Sequence, residues 1–207
     1  MTIFTSQPDE SVGIDTFISD LNPTTNYGTS SRIEIGEADG VTSVLRGLIK
    51  FDLTSIPASA VVLSATLSLW TEADYSINTR TLRAYRVLRN WVESQATWNI
   101  FATSNNWGTA GCANTSSDRE ATDIGSVSVL HNESANIEKQ ISLTPSKVQE
   151  WISGAVNNYG LLLKMDTESN DAWRWHSASA ATPDYRPKLV IEYLESGRMM
   201  QLPTFIG

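Results

Sequence analysis

From Ala60 to Trp70 the chain reads Ala-Val-Val-Leu-Ser-Ala-Thr-Leu-Ser-Leu-Trp, with apolar and polar side chains in alternation. Leu63, Ala65, Leu67 and Leu69 fall on one side, and Ser64, Thr66 and Ser68 on the other. Successive strand residues point to opposite faces, so period two predicts a half-buried β-strand. Upstream, Val44 to Phe51 reads as a strand that carries Leu48 and Phe51 toward an interior. Asp52-Leu-Thr-Ser-Ile-Pro57 then turns it, because Asp and Ser bond nearby backbone donors and Pro57 fixes one φ angle. A helix is expected once, over about 144–153. Thr144 suits the N-cap, Pro145 the first turn and Gly154 the position after the end, and Val148, Trp151 and Ile152 form one apolar face. Trp151 is expected to be a packing anchor where this helix plugs an end of the fold.

Further short patterns lie along the chain: Asp15-Thr16, Asn26-Tyr27-Gly28, Phe51-Asp52-Leu53 with Pro57, Ala65-x-Leu67-x-Leu69 and Tyr85-x-Val87. They continue as Trp91-x-Glu93-x-x-x-Thr97-Trp98-Asn99, Trp107 with Gly111, Val148-x-x-Trp151, Asn158-x-Gly160-Leu161 and Pro187-x-Leu189-Val190-Ile191. In order and spacing they resemble the DNRLRE-domain family and the related carbohydrate-binding modules of enzymes that degrade acidic polysaccharides. The six-residue run that names that family is absent here. The resemblance implies an all-β, two-sheet antiparallel sandwich of jelly-roll type, with Trp91, Trp98 and Trp107 packed inside. Neither a linker composition nor an internal repeat divides the chain. One domain over 1–194 is expected, followed by an extension over 195–207.

The formal net charge is −8, which disfavours nucleic acid as a partner, since that affinity rests on cations meeting phosphates. Arg80, Arg83, Arg86 and Arg89 form the one basic cluster. Thr81 to Leu88 reads as a strand, so these are expected at solvated strand edges and in ion pairs, the alternative being a polyanion-binding stripe. Cys112 is the single cysteine, which leaves no intrachain disulfide. Residues 1–20 show neither a basic n-region nor an apolar core of a signal peptide, and no run of 18 apolar residues predicts membrane insertion. Modules of the resembled family act outside cells, and a protein made in a host cytosol and carried out on a virion reconciles the two. The apolar Met199, Met200, Leu202, Phe205 and Ile206 beyond Tyr193 suit an assembly arm onto a neighbouring copy, or a tail folded onto its own sandwich.

Few groups suit catalysis. His131 and His176 are the only imidazoles, and no Gly-x-Ser-x-Gly or phosphate loop occurs. A lyase would want a base and a charge-neutralising cation, which His176, Arg174 and Tyr185 could supply together. The expectation is that the chain is not an enzyme. Trp173 and Trp175 would share a strand face, with Arg174 and His176 opposite, which makes these four the first glycan-binding candidates; the alternative is two indoles buried between sheets. Asp166, Glu168 and Asp171 are candidates for a structural calcium ion, against a plain polar hairpin loop. No other cofactor is expected. Two functions follow: a non-enzymatic virion surface protein, in capsid decoration or a tail, assembled as a homo-oligomer with other virion proteins; or an extracellular carbohydrate-binding module for an acidic glycan.

Overall fold

The structure is a computed structural model and describes residues 1–37 and 42–195. The assembly candidates Met199, Met200, Leu202, Phe205 and Ile206 lie outside the described residues. The chain forms β1 (Thr2–Ser6), β2 (Ile14–Ser19), β3 (Arg32–Glu37), β4 (Val44–Lys50), β5 (Val61–Asp74), β6 (Arg80–Arg86), β7 (Ile100–Ala102) and β8 (Asn105–Asn106). It continues with β9 (Gly125–Val129), β10 (Glu138–Ser142), α1 (Pro145–Ile152), β11 (Leu161–Met165), β12 (Ala172–His176) and β13 (Lys188–Leu194). All the strand pairs are antiparallel, and the fold is the all-β sandwich that the resemblance implies.

The front layer is β1–β13–β5–β10, and the back layer is β2–β4–β11–β6–β9. One side is joined by β12 and β3. Along β5, Val61 to Ser68 pair with β13, and Thr71 to Asp74 pair with β12. Along β4, Val44 and Leu45 pair with β3, and Gly47 to Ile49 pair with β11. The two layers are therefore one curled sheet. On the opposite side β9 abuts β10: a β-carbon on Gly125 would stand 2.6 Å from the Ser142 carbonyl oxygen.

Alternation sends Ala65, Leu67 and Leu69 into the inter-sheet core, but Leu63 is 43% exposed. The register shifts between Glu192 and Tyr193 of β13, which pair with Ser64 and Val62, so Leu63 is the extra residue of a bulge. The shift reverses the parity of the first turn of strand, and Val62 points inward in place of Leu63. α1 forms as expected, burying Val148, Trp151 and Ile152, with Gly154 at φ +76° past its end. Thr144 does not cap it by side chain; its hydroxyl donates to the Ile124 carbonyl instead, tying the helix start to the entry of β9.

The back layer is apolar on both faces. Phe17, Ile49, Leu161 and Leu163 face the front layer, and Ile18, Leu48 and Leu162 face outward. The outward set packs under the segment from Leu88 to Ile124, which brings Trp91, Ala96, Trp107 and Cys112 onto it, with Trp98 and Phe101 at the margin. Leu48 thus serves this second core and Phe51 the first. The segment has little strand or helix of its own, and buried polar groups organise it. Asp118, with 0% exposure, accepts from the backbone N–H of Gly108 (2.7 Å), Thr109 (2.9 Å) and Asn114 (3.1 Å). Asn26 donates to the carbonyls of Glu93 and Ala96, and the Trp107 indole donates to Thr97. The Cys112 thiol lies within, donating to the Asp118 carbonyl, and burial pushes its pKa well up.

Candidate functional site

The strand β12 places the four sequence-derived glycan candidates as pairs on opposite faces. Trp173 and Trp175 do share a face, but it is the inward one; both have 0% exposure and belong to the inter-sheet core. No sugar ring can stack on them from solvent, which corrects that expectation. The cause is position: β12 lies between β5 and β3, at the centre of the bridge that closes the sandwich. Arg174 and His176 point outward. The Arg174 guanidinium donates to Glu34 (3.0 Å) and to the Tyr75 hydroxyl (2.6 Å), and lies over the Tyr75 ring. His176 meets Asn136 at 2.9 Å and stacks on Tyr185, with ring centroids 5.2 Å apart. Burial lowers the His176 pKa in spite of the nearby Glu72. This face brings together the trio named for a lyase, yet its arginine is held by Glu34 and Tyr75.

The calcium candidates do not converge. Asp166 accepts from the backbone of Thr81 and Thr167. Glu168 is gripped by Arg46 through both oxygens, at 2.7 and 2.8 Å. Asp171 accepts from the N–H groups of Ile77 and Asn78 and from Arg80. Burial works upward on the Asp171 carboxyl, but those donors outweigh it and hold it below the usual carboxylate range. Among the described residues no group of three or more acids, histidines or cysteines could hold a metal ion. The arginine ladder resolves into ion pairs with Asp171 for Arg80, Asp123 for Arg83, Glu120 and Glu150 for Arg86, and Asp118 for Arg89. Arg86 is buried rather than at a solvated edge, and β6 is flanked on both sides by β11 and β9.

A cleft of about 790 Å³ opens at the end of the sandwich where β4 turns toward β5. Phe51, Leu53, Ile56, Trp151 and Ile152 give it apolar walls, and Lys50, Asp52, Thr54 and Asn158 contribute polar groups. The local sequence dictates this shape. Asp52 accepts from the Thr54 N–H at 2.9 Å, which tightens the turn and holds its carboxyl below the usual range. Asn158 donates to the Phe51 carbonyl and accepts from the Gly160 N–H, fixing the opposite wall. Phe51, Asp52, Leu53, Pro57, Trp151 and Asn158 all belong to the sequence pattern.

Lys50 is a candidate that the sequence does not single out. The other four lysines each have a carboxylate partner, whereas Lys50 forms no ion pair among the described residues and lies over the Trp91 ring, 5.6 Å from its centroid. Burial lowers its pKa, and Glu93 counteracts this. Its one signal in the sequence is its isolation, since no other lysine precedes residue 139. Behind it, Asp15 donates its N–H to Glu93 (2.9 Å), and its carboxyl accepts from Ala178 (2.7 Å). Burial, against the Ala178 hydrogen bond, pushes Asp15 up to about 7. Burial also raises Glu93, against the Asp15 N–H. An apolar floor, a polar rim and one free ammonium can grip and orient an anionic ligand.

A family model described as the disaggregatase-related repeat domain matches residues 15–191. That family is carbohydrate-binding-like and related to the one resembled, without being the DNRLRE-domain family itself. No curated protein matches the chain. The matched span includes β2 from its second residue, every strand from β3 to β12 and most of β13, and with them the cleft lining from Lys50 to Asn158.

Proposed function

Because the chain belongs to the disaggregatase-related repeat family, we propose that it is a non-catalytic carbohydrate-binding module that holds an acidic glycan in the cleft at the β4–β5 turn. The observation that carries this reading is Lys50: a half-buried ammonium, without an ion pair among the described residues, at the rim of an apolar cleft. A uronate ring laid against Phe51, Leu53 and Trp151 would bring its carboxylate to that ammonium. A charge-assisted hydrogen bond there supplies orientation as well as affinity. The test is calorimetric titration with uronate oligosaccharides and their neutral counterparts. Lys50→Met should weaken uronate binding by about tenfold, near 1.4 kcal/mol, while leaving thermal stability unchanged or raised. Equal uronate affinity in wild type and variant would remove the cleft from consideration.

The second reading, a virion surface protein, requires assembly, and a different observation bears on assembly. Ile3, Val61, Leu63 and Leu194 are exposed on the outer side of the front layer, beside the last described residue. An exposed apolar row of this kind suits assembly. Light-scattering mass of the full chain, compared with a version ending at Glu195, tests it: an oligomer that becomes a monomer on truncation supports assembly, and a monomer in both forms removes it.

A further inference from the structure

The outward side of the back layer carries a second concentration of charge, opposite in sign to the molecule as a whole. Lys164 on β11 lies directly across from Arg83 on β6. Arg46 on β4 stands one step beyond the Gly47–Leu163 pair, so Arg46, Lys164 and Arg83 form a row over three adjacent strands. Like charges directly across strands are destabilising, and such a row calls for compensation. Two carboxylates supply part of it. Glu168 binds Arg46 through both oxygens and meets Lys164 at 3.5 Å, and Asp123 meets Arg83 at 3.0 Å.

A fourth cation is left over. Arg119 stacks over the Tyr85 ring, 4.4 Å from its centroid, and Nη1 donates to the Glu120 carbonyl. Its Nε is buried without an acceptor, and it has no ion-pair partner among the described residues. Tyr85 feels Arg119, Arg83, Asp123 and Glu168 together, and Lys164 feels Arg46, Arg119 and Glu168, so these groups share one neighbourhood. Burial first, then Arg46 and Arg119, lower the Lys164 pKa against the pull of Glu168. Four cations thus face two carboxylates within a chain of net charge −8.

We infer that this row is a binding site for an oxyanion group (sulfate, phosphate or carboxylate), seated between Arg119, Lys164 and Arg83. An oxyanion there offers several acceptors to guanidinium and ammonium donors, and two of those donors are arginine forks suited to paired hydrogen bonds. Arg46, at the near end of the row, lies four residues along β4 from Lys50, about 13 Å at strand rise, with Leu48 of the outer core between them. The site is independent of the cleft.

The test is titration of the full chain with sodium sulfate, sodium phosphate and galacturonate at constant ionic strength, followed by NMR shifts of backbone and arginine side-chain signals. Saturable shifts should centre on Arg83, Lys164 and Arg119, and Arg119→Gln should weaken them by about tenfold. Lys164→Met is the second variant; it removes an ammonium that donates to the Met165 carbonyl and meets Glu168, while Arg46 still holds Glu168 through both oxygens, and thermal melting checks that the fold is kept. Lys50→Met should leave this site unchanged, which separates its fate from that of the cleft. Saturation by sulfate and phosphate alone identifies an ester group as the ligand, and saturation by galacturonate as well identifies a carboxylate. Shifts that grow without saturation, or equal affinity in wild type and both variants, overturn the inference.

Discussion

The two cores of this molecule are built by different means. Between the layers, strands satisfy their own backbone, and Leu67, Leu69, Trp173 and Trp175 belong to one apolar cluster, with the buried Arg86 lying over Trp151 at its edge. On the outer face the covering segment from Leu88 to Ile124 has few strand partners, and its backbone is held by turn hydrogen bonds together with side chains. Asp118 takes three N–H groups, Asn26 donates to two carbonyls, and Arg46 donates to the Gly111 carbonyl at 2.6 Å while lying over Trp98. Gly111 is required there, because a β-carbon would fall 2.6 Å from the Trp98 ring and its φ is +78°. In the outer segment, buried polar side chains take the groups that regular backbone pairing leaves over, since a buried N–H or C=O left alone costs about 1–3 kcal/mol.

That contrast can be broken by substitution. The largest effect expected is from Trp173→Ala, which opens a cavity in the inter-sheet core and should cost about 3–5 kcal/mol in a single cooperative transition seen by denaturant unfolding. Asp118→Ala should cost somewhat less, about 2–4 kcal/mol, and differently. Amide exchange should accelerate across 88–124 while β5 and β13 keep their protection; uniform loss of protection would show that the two cores are not separable. Acidity offers a third probe. The Asp15 carboxyl is raised in the fold to about 7 from an ordinary 3.8, so between those values the unfolded chain has lost a proton that the folded chain retains. Stability should fall as pH rises from about 4 to 7, by up to about 1.4 kcal/mol per unit, with the raised Glu93 adding in the same direction. Melting temperatures across that range should flatten in Asp15→Asn. The smallest effect expected is from Leu63→Thr, within about 0.5 kcal/mol, because the bulge leaves Leu63 exposed. The same change at the fully buried Leu67 sharpens the comparison with a loss of about 2 kcal/mol or more.

How far the sequence reads correctly follows the same division. Alternation from Ala65 to Leu69 and the Val148–Trp151–Ile152 face are local periodic signals, and both the strand and the helix form where expected. The bulge at Leu63 escapes because it is set by the partner strand: it is the pairing with Tyr193 and Glu192 that shifts the phase. Trp173 and Trp175 show the limit of parity arguments. Period two places them together, but whether that face is inside depends on β5 and β3, which arrive from residues about 100 to 140 positions away. The outer segment is the least legible part. Asp118, the residue that organises it, stands in Ser-Ser-Asp-Arg, which reads as an ordinary polar turn. Lys50 escapes for a related reason, since being without an ion pair is a property of surroundings and not of spacing.

Cys112 has a practical consequence. Its thiol is sealed beneath the outer segment, with 0% exposure, and burial keeps it from ionising. A thiol reagent reacts only with the exposed thiolate, so its rate of attack on the native protein counts openings of that one segment. The chain thus carries its own clock for the motion of a single region, readable with a colorimetric reagent and no engineering. For the same reason, a cysteine added elsewhere on the surface can be labelled alone while the native one stays silent.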